Sequence, residues 1–552
     1  MKTRYLWIGL VLFCSAPAIA QTGNRPWNDP GDIEDAEIVI EKKREISLPA
    51  ANRQYDKVPP LPQTGVPMAL DYAFREFTYA LSPLEPRIRP LTLADETLDK
   101  LYGNYVKAGF GNYITPYLQA YVGNKRNPTL AWNIQADHQS SQRGVVDSVN
   151  SGSSHNRLVL NTRSMGPKGT LRTSVGYDRQ RVHYYGYPEG AAPIRDSIRQ
   201  IYNRFFADLS IRPNGTNQDV YYQLDGGYRF QGDRFGAQEH LGGLGGRIRM
   251  PINDDFQAEL GAEGWLSQRK DTTEQNRYFV RLQPIVHYRN GDLHVQGGLN
   301  VLFDNDTLSN TNPTYLYPLI KANYALSDAF SPYAKLWGNV EMVTWHSLTA
   351  ENPWLDRDVQ LNNTVVPIEF VLGGRGGVGS ALYYDAGLAI GNVRNWYFYV
   401  PSTGDSTRFM PEYDQNNITR FNLFGELTVQ AGEVFRGSMR ADYFNYRRFD
   451  DTEQLIGAWH RPTAQVTALA QLNLADKLLI EVNGSILGGI QVPDATDPLP
   501  TIFNVTAEAE YRITQRLSVF TNFNNLANRS WERYQGYPTR QLMVIGGFSY
   551  GF

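Results

Sequence analysis

One pattern limits what this chain can fold into more than any other. From about residue 104 to its end, apolar and polar side chains alternate with period two. Trp132, Ile134 and Ala136 alternate with Asn133, Gln135 and Asp137. Tyr222, Leu224, Tyr228 and Phe230 alternate with Gln223, Asp225 and Arg229. Phe256, Ala258, Leu260 and Ala262 alternate with Gln257, Glu259 and Glu263. The same holds for Phe421 to Gln430, Lys477 to Asn483 and Val505 to Arg512. Successive strand residues point to opposite faces, so each segment predicts a strand with one oily and one polar face. There are about 22 such segments, more than an open sheet holds without curling or splitting. A closed barrel leaves no unpaired edge.

Alternation does not say which face meets water. In a soluble barrel the apolar face points inward, and in a membrane barrel it points outward to lipid. Connection lengths favour the membrane. Tight turns are expected at Gly166 to Gly169, Arg289 to Asp292, Leu326 to Ala329, Gln430 to Val434, Ala475-Asp476 and Thr514-Gln515. Within the second, Asn290-Gly291 reads as a two-residue hairpin loop. Longer polar stretches lie between them, among them Gln139 to His155, Val182 to Ser197, His346 to Val365, Arg394 to Asn416 and Leu526 to Thr539. Short periplasmic turns alternating with long external loops mark a transmembrane barrel. No apolar run of about 18 residues follows the N-terminal leader, so no transmembrane helix is expected. Aromatics make up 12% of the chain, led by 34 Tyr, which suits interfacial girdles.

The two ends agree. Residues 1–20 have the build of a secretory signal peptide: Lys2 and Arg4, an apolar stretch from Tyr5 to Phe13, and a small-residue cleavage site at Ala18-Ile19-Ala20. Bulky Phe13 before Cys14 argues against a lipoprotein signal. Cleavage removes the only cysteine, so no disulfide or Cys-metal framework is expected. It also leaves 51 basic residues against 56 acidic ones, a net charge of −5 that gives no reason to expect a nucleic-acid partner. In Gln541 to Phe552 one face carries Leu542, Val544, Gly546, Phe548, Tyr550 and Phe552. A last strand with Phe548, Tyr550 and Phe552 on its apolar face resembles the sorting signal read by the outer-membrane barrel insertion machinery. The expectation is a Gram-negative outer-membrane protein in contact with outer-membrane lipid.

Residues 21–103 differ from the barrel expected over 104–552. Gln21 to Pro67 is rich in proline and charge and lacks periodicity, which predicts an extended or partly disordered periplasmic or lumenal tail. Met68 to Leu81 and Leu93 to Tyr102 fit short helices. The fold class is thus all-β, a transmembrane antiparallel barrel of about 22 strands, preceded by a short irregular or helical segment.

At the C-terminal end, Phe523-Asn524-Asn525-Leu526, Tyr534, Tyr537-Pro538-Thr539-Arg540 and the strand ending at Phe552 resemble the end of TonB-dependent receptor barrels. Glu369 to Tyr384 is similar to a mid-barrel segment of that family. The style of leader and C-terminus resembles its Bacteroidota branch. The resemblance implies 22 strands and transport across the outer membrane. The chain departs from the family before the barrel, where the segment is too short for a globular plug and lacks plug motifs. Glu37, Ile38, Val39, Ile40 and Glu41 look like a TonB box, the extended segment that pairs with TonB as an added strand. Two functions follow: uptake of a nutrient or polymer, with TonB or an outer-membrane or periplasmic partner, or a structural subunit of a larger outer-membrane complex. A barrel of this size is normally plugged. The tail, the long loops or a partner are the candidates to fill it.

No residue stands out as catalytic, and an enzyme is not expected. Asp137-His138-Gln139-Ser140-Ser141 superficially resembles the His-x-Ser motif of outer-membrane phospholipase A but lacks its following Asn; a solvated loop start is the plainer reading. The eight His residues lack ligand spacing, and no cofactor or metal is implied. Tyr184 to Tyr187 and Trp396 to Tyr399 are candidates for ligand contact, but the plainer reading is interfacial girdle residues at strand ends. Arg229, Glu259, Glu263, Arg281, Glu426, Glu481, Glu508 and Glu510 are placed in the lumen, where they are candidates to tune selectivity or bind the occluding segment; ordinary pairing across the wall is the plainer reading.

Overall fold

The computed structural model describes residues 103–191, 193–214, 220–305, 314–448, 458–493 and 495–552. The leader, the Glu37–Glu41 segment and the proposed N-terminal helices lie outside these residues.

Twenty-two strands form one antiparallel sheet in which each pairs with its neighbours along the chain. The sheet closes where the first strand, Tyr105–Gly111, pairs with the last, Met543–Gly551, from Tyr105↔Gly551 to Gly111↔Ile545. Closure satisfies every edge N–H and C=O inside the wall, which hydrocarbon demands. Gly547 sits at this seam, and a Cβ there would fall on the Ala108 carbonyl oxygen. Gly547→Val is therefore expected to push the closing strands apart at a cost of about 1–3 kcal/mol. A lower temperature for the gel shift from folded to unfolded barrel reads this out, and an unchanged shift would contradict it.

The connections sort by end. At the end holding the first residue of the first strand and the last of the last, ten turns are short, such as 166–168, 291–292 and 475–477. At the other end lie eleven connections. Three are as short as the turns opposite (112–114, 234–237 and 271–273), while 342–363, 395–417 and 525–542 are long. Short turns face the periplasm and long loops the exterior. The turn after the strand Glu274–Asn290 differs from the sequence expectation by one residue. Asn290 pairs with Leu293, so the loop residues are Gly291 and Asp292. Gly291 has φ +53°, a conformation without steric cost only for glycine.

The wall is inverted relative to a soluble protein. Leu260 is 54% exposed on the outside, while its neighbour Glu259 is 6% exposed on the inside. Leu158, Leu224, Leu244, Leu266, Leu316 and Leu423 are likewise exposed outward, and Phe548, Tyr550 and Phe552 join that outer face. Arg281, Asn300 and Lys335 are buried inward. An oily belt around a polar lumen is the outer-membrane barrel architecture, and it places the chain in a Gram-negative outer membrane. No helix among the described residues is long and apolar enough to cross a membrane.

Candidate functional site

The lumen wall and the external loops hold the polar and aromatic chemistry. The inward charges pair with one another. Lys107 lies 2.5 Å from Glu508 and 3.0 Å from Glu510. Arg281 meets Glu263 at 2.8 Å, Arg229 meets Asp208 at 3.3 Å, and Arg440 sits between Asp442 and Glu426. Glu481 accepts from Gln471 and Asn483. Glu259 gathers Arg249 at 2.7 Å, His287 at 3.0 Å and Arg247 at 3.3 Å. Such ladders stiffen a wet wall. Among the described residues no group of His, Cys, Asp or Glu is arranged to hold a metal.

At the outer end the loops meet and fold on one another. The connection 342–363 carries a seven-residue helix, Trp345–Glu351, hereafter α1. Its start is fixed by a reciprocal capping box between Thr344 and Ser347. The Glu239 carboxylate, from a distant strand, accepts the backbone N–H groups of Trp345 at 3.0 Å and His346 at 2.9 Å. A carboxylate there satisfies free helix donors and suits the positive end of the dipole. Leu348 and Thr349 are fully buried. Thr349 bonds with Gln231 on the wall strand Tyr221–Asp233 and with Arg204 on the neighbouring strand Arg199–Pro213. The root of α1 lies between the strands Ser331–Glu341 and Thr364–Val378, on another arc of the ring, so the helix reaches across the mouth.

Other loops close over it. A hairpin, Trp396–Pro401 paired with Phe409–Asp414, rises from the connection 395–417. Phe409 and Leu355 form a bridge that ties this hairpin to the α1 loop. Tyr399 donates to Leu348 O, Tyr534 to Glu351 O, and Tyr184 to Leu355 O. Tyr397 donates to the Glu351 carboxylate at 2.6 Å. Trp354 and Tyr537 pack with ring centroids 4.1 Å apart. Tyr202, Val343, Trp345, Leu348, Leu355, Val359, Leu361, Tyr399, Phe409, Tyr534 and Tyr537 make one apolar core. All of these except Tyr202 lie in the connections rather than on the wall strands.

Two sequence expectations are corrected here. Tyr184 and Trp396, Phe398 and Tyr399 are buried within loop packing, not arrayed as a girdle facing headgroups. His346 to Val365, expected as a long polar connection, is a long connection but carries α1 and much of the apolar core, so it is not uniformly polar. The missed signal was composition. Val343, Trp345, Leu348, Trp354, Leu355, Val359 and Leu361 are more apolar residues than a solvated loop needs.

The cap also carries a titratable element. His460 is buried, and its Nδ1 donates to Tyr399 O at 3.0 Å while Nε2 accepts the Gln535 N–H at 3.4 Å. Both nitrogens are used by the neutral ring, so a second proton would set two donors against each other. Burial, helped by Arg533, pushes its pKa down to about 3. Released from the cap, the ring titrates near 6.5. The opened state therefore binds more protons between these values, and the closed cap loses stability as pH falls from about 6.5 towards 3. Purified protein in a planar bilayer is expected to gain open time over that window. His460→Asn should weaken the response, which His346 in α1, its pKa also held down to about 3 by burial, shares; an identical pH profile in the variant would rule His460 out.

No protein-family model matches the chain, and no curated protein matches it. Solved structures do. The FrpB iron transporter of Neisseria meningitidis superposes with a TM-score of 0.62 at 11% identity, over 82% of each chain. The chain shares that fold. The ferric enterobactin receptor PfeA of Pseudomonas aeruginosa gives a TM-score of 0.59 at 10% identity over 81% of each chain. The ferric-catecholate import receptor Fiu of E. coli K12 gives 0.60 at 9% over 81% of each. All three names describe transporters or receptors rather than enzymes. At this identity the likeness speaks for architecture, and the loops must be read from this chain alone.

Proposed function

We propose that this protein is a plug-less, TonB-receptor-like transport barrel that moves a nutrient or polymer across the outer membrane, and that its folded loop cap is the gate. The observation that carries the reading is the pairing of a wide polar lumen with a cap that crosses the mouth. A lumen lined by Arg, Glu, Asn and Gln suits hydrated cargo, and a gate is needed because a barrel of 22 strands left open leaks. The neighbours in fold carry iron or ferric siderophores by name, so ferric complexes are the first cargo to try. In this reading TonB engages Glu37 to Glu41 by strand addition, and the terminal Phe548, Tyr550 and Phe552 serve barrel insertion. Deletion of the gene should impair growth on the cargo, and Ile38→Pro or Val39→Pro should reproduce the defect with the barrel intact. Normal uptake in both variants would remove TonB from the mechanism.

One observation favours a second reading, a structural subunit of a larger outer-membrane complex. The cap is aromatic and internally hydrogen-bonded, as a permanently shut barrel would be. Extraction in mild detergent separates the two readings. A stoichiometric partner together with normal growth on every cargo supports the structural role.

A further inference from the structure

The outer wall carries a side-chain cluster that neither lumen nor cap uses. His138 and Ser140 stand two residues apart on the strand Leu130–Ser141 and so share one face. Asn156, on the strand Ser153–Met165, is the direct partner of His138 across the pair. The shared face is the lipid-facing one, because Ile134, Leu158 and Leu160 on it are exposed. Ser140 Oγ lies 3.3 Å from His138 Nε2, and His138 Nδ1 lies 2.6 Å from Asn156 Oδ1. The far end orients this relay: Asn156 Nδ2 donates to Ser154 Oγ at 3.2 Å, which turns the amide oxygen to the ring. In that arrangement Nδ1 carries the proton and Nε2 offers its lone pair to the Ser140 hydroxyl. A hydroxyl, a base and a group that orients the base are the parts of an activated nucleophile. Asn fills the third place in a known variant of that arrangement.

We propose that Ser140, His138 and Asn156 form an acyl-ester hydrolysis site on the outer wall, with anionic membrane lipid as substrate. The surroundings specify the lipid. His138, Asn156, Arg179 and Asn203 occupy one register row across four strands, and the next row towards the periplasm is Ala136, Leu158, Tyr177 and Phe205. A polar row above an apolar and aromatic one marks the headgroup boundary. Arg179 lies one strand, about 4.8 Å, beyond Asn156. Arg179, Arg195 and Arg199 stand within charge–charge reach of Arg181 at the same rim. A glycerophospholipid seated here sets its phosphate against arginine, its tails against Leu158 and its ester carbonyls between them.

The chemistry closes without a redox partner. Ser140 Oγ attacks the ester carbonyl carbon, and its proton passes to His138 Nε2. The bond from that carbon to the glycerol oxygen breaks, and the imidazolium protonates the departing alcohol, a lysolipid. Water then attacks the acyl-serine, giving a proton to His138. The fatty acid leaves, and the proton returns to Ser140 Oγ. Asn156 is a positioning residue.

The test uses the full chain in vesicles of phosphatidylglycerol and phosphatidylethanolamine, with fatty-acid release as readout. A fluorophosphonate probe is applied in parallel and located by mass spectrometry. Release and a probe adduct on Ser140 are expected. Ser140→Ala should lose both, and His138→Ala should slow release by about 10²–10⁴-fold. Asn156→Ala should lower kcat with little change in KM and shift the pH profile, with recovery in Asn156→Asp. Ser141→Ala, on the opposite face, should match the native protein. Each variant is first shown to keep the heat-modifiable migration of a closed barrel. Absence of both release and adduct from the folded native protein would overturn the proposal, as would release that survives Ser140→Ala. Equal rates in vesicles of phosphatidylethanolamine alone would overturn the anionic-lipid assignment.

Discussion

Replacing residues 345–361 with a short glycine–serine linker is expected to give the barrel a wide and steady conductance. The segment supplies α1 and the Leu355 bridge, and it holds the backbone oxygens that Tyr184, Tyr399 and Tyr534 use as acceptors. Removing it leaves the aromatic rings of the other loops without their common floor. Porin barrels of about 16–18 strands already hold an aqueous channel, so an uncapped barrel of this size conducts at least as well. Single-channel recording of the purified protein is the direct measurement. Sensitivity of cells to large antibiotics that porins exclude is its counterpart in vivo. Removal of residues 24–100 in the same assay is expected to leave conductance low. If that truncation opens the pore and the loop replacement does not, occlusion belongs to the N-terminal segment and the gate assigned to the cap is wrong. A milder change points the same way. Leu348→Ala removes a fully buried side chain from the cap core, a class of change that costs about 2–5 kcal/mol, and should raise open probability.

The second large effect comes from two adjacent residues that fail for opposite reasons. Leu260→Arg sets a charge against acyl chains, at a cost of about 2–4 kcal/mol near the bilayer midplane. Glu259→Leu acts on the other face. It leaves Arg247, Arg249 and His287 converging on a site with no carboxylate, and breaking a buried pair of this kind costs about 3–5 kcal/mol. Denaturant unfolding in lipid vesicles measures both. Had the wall been built with its oily face inward, Glu259→Leu would only set a leucine on a solvated face at little cost, so a large loss from both Leu260→Arg and Glu259→Leu tests the orientation of the whole barrel.

Much of the barrel was legible in the chain because its cause is local. Lipid on one side and water on the other impose period two residue by residue, and Phe256 to Glu263 shows it without reference to any other strand. Strand number followed from the same signal. The exact turn at Gly291 did not, since Asn-Gly and Gly-Asp both supply a residue tolerant of positive φ and only the cross-strand register chooses. The cap was illegible for a deeper reason. Tyr184, Trp354, Tyr399 and Tyr537 come from four connections far apart in sequence, and no periodicity records that they meet. The aromatic character of Tyr184 and Tyr399 was visible and suggested a girdle, the commonest fate of such residues near strand ends. The outer-wall cluster falls between these cases. His138 and Ser140 were adjacent enough to notice, but Asn156 reaches them across a hairpin whose register no local rule specifies.

The scattered origin of the cap has a temporal consequence. Its components hang from opposite arcs of the ring, one of them just before the final strand, so they cannot come together until the ring is shut. The crown on the cell surface is thereby a certificate of completed assembly, and an antibody raised against its folded form would count finished barrels and ignore every unfinished one.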